Sequence, residues 1–137
     1  MNDRSDRQAP VLLHILELGG YPDFSPLYRA QGYEPERIDS MRKAIKSIKK
    51  RIPDVIVAEF NFQSDFRDRT SQLESLMASI ARAPQVRVIV FYDREQAHQL
   101  ERVRSRFDFH ALLSYPIDEE ELAAALARPD GAVSPPS

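Results

Sequence analysis

Short apolar runs alternate with amphipathic segments along this chain, and Pro and Gly mark the joints between them. That alternation restricts the fold more than any other feature. Val11 to Leu18 (VLLHILEL), Asp54 to Phe60 (DVIVAEF) and Val86 to Tyr92 (VRVIVFY) are almost continuously apolar, as strands covered on both faces are. Gly19 and Gly20 stop the first run. Tyr33 to Ile38 makes a weaker strand, and its Pro35 lacks a ladder donor, which assigns it to an edge. Ala111 to Tyr115 (ALLSY) closes the set just before Pro116.

The intervening segments carry helical spacing. A short helix is expected around Ser25 to Gln31, with Gly32 as its stop. From Met41 to Ile52, a turn of about 100° per residue collects Met41, Ala44, Ile45, Ile48 and Ile52 on one arc and Arg42, Lys43, Lys46, Lys49 and Lys50 on the other. Asp39 or Ser40 caps this helix and Pro53 ends it. Leu73, Leu76, Met77 and Ile80 mark a third helix, closed by Pro84, and Ala97, Leu100, Val103 and Phe107 a fourth over Arg94 to Phe107. The last spans Glu119 to Ala127, with Asp118 as cap and Glu119, Glu120 and Glu121 at its positive end.

Strand and helix thus alternate five times. Within 137 residues, 42% of them hydrophobic, this makes one core and one domain over residues 11–127. The expected architecture is α/β: a doubly wound, five-stranded parallel sheet of flavodoxin-like type with strand order 2-1-3-4-5. Residues 1–10 and 128–137 are polar or rich in Pro, Gly and Ser without periodicity, and are expected to be flexible tails.

Several function classes fall away on inventory. With no cysteine, there is no disulfide, thiolate metal site or cysteine nucleophile. A net charge of -2, from 19 Lys and Arg against 21 Asp and Glu, gives no global pull toward nucleic acid or anionic membrane. No stretch approaches the roughly 18 apolar residues of a membrane span, so a cytoplasmic location is expected. Gly19-Gly20 lacks the spacing of a nucleotide loop. His98 and His110 stand in no ligand spacing, and neither a metal nor a cofactor is expected. His14, inside the first strand, reads as a hydrogen-bonded core residue.

In doubly wound sheets, function collects beyond the carboxyl ends of the strands. Here those ends carry Glu17, Glu59, Tyr92 with Asp93, and Ser114 with Tyr115. The strings PDVIVAEFNF, VRVIVFYD and ALLSYPID, in this order of elements, resemble the receiver domains of bacterial two-component response regulators over roughly residues 11–127. The resemblance implies an acidic pair for Mg²⁺ after the first strand, a phosphoacceptor aspartate after the third, a Thr or Ser after the fourth and a Lys before the proline after the fifth. On this chain the acidic pair reduces to Glu17 between Leu16 and Leu18. Glu59 holds the acceptor position, Tyr92 the hydroxyl position and Tyr115 the lysine position, while Ser114 and Pro116 fit.

Phosphoryl transfer relies on positioning and on charge neutralisation by metal and cation, so these replacements remove most of the stabilising charge. The extra methylene of Glu59 also carries its carboxylate about 1.5 Å beyond an aspartate's reach. The resemblance therefore implies a degenerate pseudo-receiver that is not an enzyme: a stand-alone signalling domain that binds a protein partner or a second copy of itself, with no nucleic acid and no membrane. The alternative is a phosphorelay receiver with residual metal-dependent acceptor activity. Two further features could serve binding: the basic stripe containing Lys43, Lys46 and Lys50, and the 61–70 connection with Phe62 and Phe66.

Overall fold

The computed structural model describes residues 10–15, 23–60 and 72–127. Among them, five strands form one parallel sheet in the order β2-β1-β3-β4-β5. They are β1 (Val11–Ile15), β2 (Glu34–Ile38), β3 (Val55–Glu59), β4 (Arg87–Tyr92) and β5 (Ala111–Ser114). The helices are α1 (Ser25–Ala30), α2 (Met41–Lys50), α3 (Gln72–Ser79), α4 (Ala97–Arg104) and α5 (Glu119–Leu126), and a short 3-10 turn, Arg94–Gln96, leads into α4. The expected doubly wound order is the observed one.

Both faces of the sheet are covered. Every residue of β1 and β3 is buried, which is why those segments are apolar without alternation. Leu13, Ile15, Ile56, Ala58, Val88 and Val90 pack toward α2, α3 and α4. Leu12, Val55, Val57, Ile89, Phe91 and Leu113 pack toward Phe24 and Tyr28 at α1 and Leu122 and Leu126 of α5. Burying each such Val, Leu, Ile or Phe side chain contributes about 1.5–3 kcal/mol.

Pro35 sits on the edge strand as its chemistry requires. The Glu34 N–H donates to the Pro10 carbonyl at 2.8 Å, so the next nitrogen, that of Pro35, faces away from the sheet and forfeits no ladder bond. Gly32, at φ 93°, supplies the left-handed turn after α1 that other residues avoid. Asp54 ties two strands together, its carboxylate accepting from the Val11 N–H at 2.8 Å.

Two expectations are corrected. Helix α2 stops at Lys50, so Ile52 lies beyond it and is 44% exposed instead of joining the buried arc. Pro53 forces its neighbour out of helical geometry, and the last turn unwinds ahead of it. The segment expected as one helix from Arg94 to Phe107 divides into the 3-10 turn and α4, which ends at Arg104. Ser40 is the cap of α2, accepting from the Lys43 N–H at 3.1 Å, while Asp39 forms a surface pair with the Lys43 ammonium at 3.2 Å. Residues 1–9, 16–22, 61–71 and 128–137, which include most of both expected tails, lie outside the described residues.

Candidate functional site

Parallel pairing brings the carboxyl ends of β1, β3, β4 and β5 to one edge. Glu59, the last residue of β3, lies in register with Phe91. It follows Val55 and Val57 in alternation, so its side chain enters the α1/α5 face. His14 of β1 stands in register with Val57 and therefore emerges on the same face, one step behind Glu59.

The two meet inside the protein. His14 Nε2 is 3.2 Å from Glu59 Oε2, and His14 Nδ1 is 3.2 Å from the Tyr28 hydroxyl of α1. His14 is 2% exposed, Glu59 7% and Tyr28 0%. Glu59 Oε1 is buried and, among the described residues, has no hydrogen-bond partner. Tyr28 and Phe91 present their rings edge-on to the imidazole at 5.8 and 5.6 Å, and Phe24 stands edge-on to Phe91 at 5.8 Å. Burial first, then the charges of Glu59 and Asp23, push the Tyr28 phenol far above its ordinary range, so it stays protonated.

Asp23, just before α1, is exposed. Its carboxylate accepts from the Ser25 N–H at 2.9 Å and lies 3.5 Å from the Arg37 guanidinium. The side-chain and backbone hydrogen bonds of Ser25 hold its carboxyl below the usual range, and the Arg37 charge acts in the same direction.

The remaining described candidates lie at the ends of β4 and β5 and on α2. Tyr92 is half-buried and packs against the α2/α3/α4 core. Ser114, half-buried, is its register partner. Tyr115 donates its N–H to the Tyr92 carbonyl at 2.8 Å and is 48% exposed. Pro116 is exposed and follows a cis peptide. Thus Tyr92, Ser114, Tyr115 and Pro116 cluster at the ends of β4 and β5, and of these Tyr92 and its register partner Ser114 stand on the face opposite the Glu59 carboxylate. Glu17, Phe62 and Phe66 lie outside the described residues. Lys43, Lys46 and Lys50 are exposed on α2.

No family model and no curated protein matches the chain. Solved structures do. A response regulator receiver domain protein from Clostridium thermocellum superposes with a TM-score of 0.67 at 15% identity, over 85% of this chain and 90% of that one. A response regulator receiver protein from Sinorhizobium medicae gives 0.67 at 17% identity, over 87% and 92%. The signal receiver domain of an HD domain-containing protein from Pseudomonas fluorescens gives 0.62 at 16% identity, over 87% and 85%. The fold is that of a receiver domain.

On the receiver fold, the position that the sequence resemblance gives to the phosphoacceptor holds a carboxylate already occupied by a histidine. Among the described residues, no group of three or more His, Asp or Glu is placed to hold a metal ion, and one oxygen of Glu59 is engaged by His14. Also among them, no helix is long and apolar enough to cross a membrane.

Sequence reasoning identified His14 and Glu59 separately and missed their pairing, and it missed Tyr28 altogether. A signal for the pair existed. Two polar residues inside apolar runs on strands that neighbour each other in a 2-1-3-4-5 sheet both need a partner, and each is the other's nearest candidate. Tyr28 gave no such signal, because only the docking of α1 brings its hydroxyl to the imidazole.

Proposed function

We propose that this chain is a receiver-fold signalling domain that acts by binding a protein partner or a second copy of itself, and that it is a degenerate, pseudo-receiver form that neither accepts a phosphoryl group nor catalyses a reaction. The observation that carries this reading is the inward engagement of Glu59. An acceptor carboxylate must present an oxygen in line with an incoming donor. Here one oxygen faces His14 and the other is buried.

The lysine position supports the same reading. Tyr115 supplies no cation to offset charge on a transferring phosphoryl group, and Tyr92 sets a half-buried ring against the core where the resemblance implies a Thr or Ser. Binding surfaces that suit the reading are the exposed basic side of α2, with Lys43, Lys46 and Lys50, and the α4, β5 and α5 side that the family resemblance assigns to output. The proposed setting is the cytoplasm of a bacterium.

Treatment with acetyl phosphate, or with a beryllofluoride mimic and Mg²⁺, tests the proposal by intact mass and by amide NMR. Wild type is expected to gain no adduct and show no magnesium-dependent shifts. Glu59→Asp should stay equally inert, since it repairs one defect among several. An adduct on wild type, or shifts gathered around Glu59 and Tyr115, would promote the phosphoacceptor alternative.

A further inference from the structure

The Tyr28, His14 and Glu59 side chains form one hydrogen-bonded row across α1, β1 and β3, and their protons can be counted. A phenol carries one proton, an imidazole one or two, and a carboxylate none or one. With a single ring proton on Nε2, that proton is donated to Glu59 Oε2 and the Tyr28 O–H donates to Nδ1. Every proton then has an acceptor, and the row carries one negative charge, with Oε1 left unpartnered. A second ring proton, on Nδ1, cancels the charge. It also reverses one bond: Nδ1–H now donates to the Tyr28 oxygen, and the phenol proton must turn elsewhere. The alternative place for that proton, Glu59 Oε1, has no hydrogen-bond partner among the described residues, whereas Nδ1 has the Tyr28 oxygen at 3.2 Å.

We infer that this row is a proton-operated latch between α1 and the sheet, in which one proton at His14 Nδ1 reverses the Tyr28 hydrogen bond and neutralises the carboxyl end of β3. The latch supplies a change of charge at the acceptor position without phosphoryl transfer, and it does not depend on which partner the domain binds.

The surroundings of His14 suit such a role. Phe91 from β4 and Leu122 and Leu126 from α5 make that face apolar, so the charge is felt strongly. Among the described residues, the other charged groups acting on the row are Asp23 before α1 and Arg37 on β2, an exposed pair of opposite sign. Tyr28 is fully buried, and a buried hydroxyl that loses its acceptor pays the full cost of desolvation. Reversal therefore costs the Tyr28 hydroxyl its acceptor, which favours a shift of the hydroxyl and of the short helix that bears it.

Long-range proton–nitrogen NMR of the ¹⁵N-histidine-labelled full chain, from about pH 5 to about pH 9, tests the latch, with amide spectra recorded in parallel. His98 and His110, both exposed, serve as internal controls. The His14 ring is expected to pass from the doubly protonated form to the Nε2–H form as pH rises, with the Ser25–Ala30 amides shifting at the same midpoint. Glu59→Gln removes the carboxylate that faces Nε2 at 3.2 Å and should lower that midpoint. Tyr28→Phe keeps the ring but removes the hydroxyl, and should uncouple the α1 amides from His14. A His14 ring that keeps one form throughout, or that titrates while the α1 amides stay still in wild type, overturns the inference without recourse to any variant.

Discussion

His14 is the residue whose replacement says most. Its imidazole is the sole described hydrogen-bond partner of the Glu59 carboxylate. Removing one member of a buried pair strands the other, at a typical cost of about 3–5 kcal/mol, whereas replacing both with apolar groups is often close to neutral. His14→Leu is therefore expected to lower unfolding stability by about that amount, and His14→Leu with Glu59→Leu to recover most of it, as read from urea midpoints at constant slope. A loss below about 1 kcal/mol for the single change would show that Glu59 finds another partner, and would weaken the case that His14 holds it inward. The same residue explains why a glutamate is tolerated at the end of a buried strand. Its longer side chain reaches back along the face to a ring one register step behind.

At the scale of elements, the helix ends carry the specific chemistry. The last carbonyls of α5 are collected by three separate segments. Tyr33 donates its hydroxyl to Leu126 O at 2.7 Å, Arg87 reaches Ala127 O at 2.9 Å and also bonds the Tyr33 hydroxyl, and His110 Nε2 lies 2.9 Å from Ala125 O. Such groups satisfy carbonyls that the helix itself leaves open and place positive charge at its negative end. Tyr33→Phe should cost about 0.5–1.5 kcal/mol and loosen hydrogen-exchange protection at the end of α5. Protection unchanged there would show that Arg87 and His110 suffice.

Asp23 does the corresponding work at the start of α1. Because its folded carboxyl is held below the ordinary value of 3.8, its contribution is fully present above that value and is lost as pH falls through the folded one. The stability gap between wild type and Asp23→Ala should therefore be widest near neutral pH and close in acid, as chemical denaturation at a series of pH values would reveal. A gap that persists in strong acid would assign the effect to packing and not to the carboxylate.

For the whole molecule, the question is whether the basic side of α2 has a partner. Arg42, Lys43, Lys46, Lys49, Lys50 and Arg51 are all exposed, yet the net charge of the chain is -2, and no aromatic residue is interleaved with these cations to stack on bases. Duplex and single-stranded DNA are expected to show no micromolar binding at physiological salt, as fluorescence anisotropy would record. Lys46→Glu with Lys50→Glu should leave stability within about 0.5 kcal/mol, as changes on a solvated face do. Micromolar binding abolished by that pair would overturn the expectation and make α2 a nucleic-acid surface.

The order of elements, the edge place of β2 and the cap at Asp118 were legible in the chain itself, and the α2 cap was narrowed to Asp39 or Ser40, because each follows from local chemistry: apolar runs, a missing proline N–H, a side-chain oxygen two or three residues from the amide it accepts. The strand register was legible only through that order. It is the register that sets His14 on the face of Glu59 and sends Tyr92 to the opposite one, so residues neighbouring at one sheet edge do not share one site. The sequence alone therefore determined the architecture and which polar residues lay in apolar strands. Tertiary structure decided where the Glu59 carboxylate points and what holds it there, because that depends on a helix docking across the sheet. Long-range packing of this kind leaves no periodicity in the sequence from which to read it.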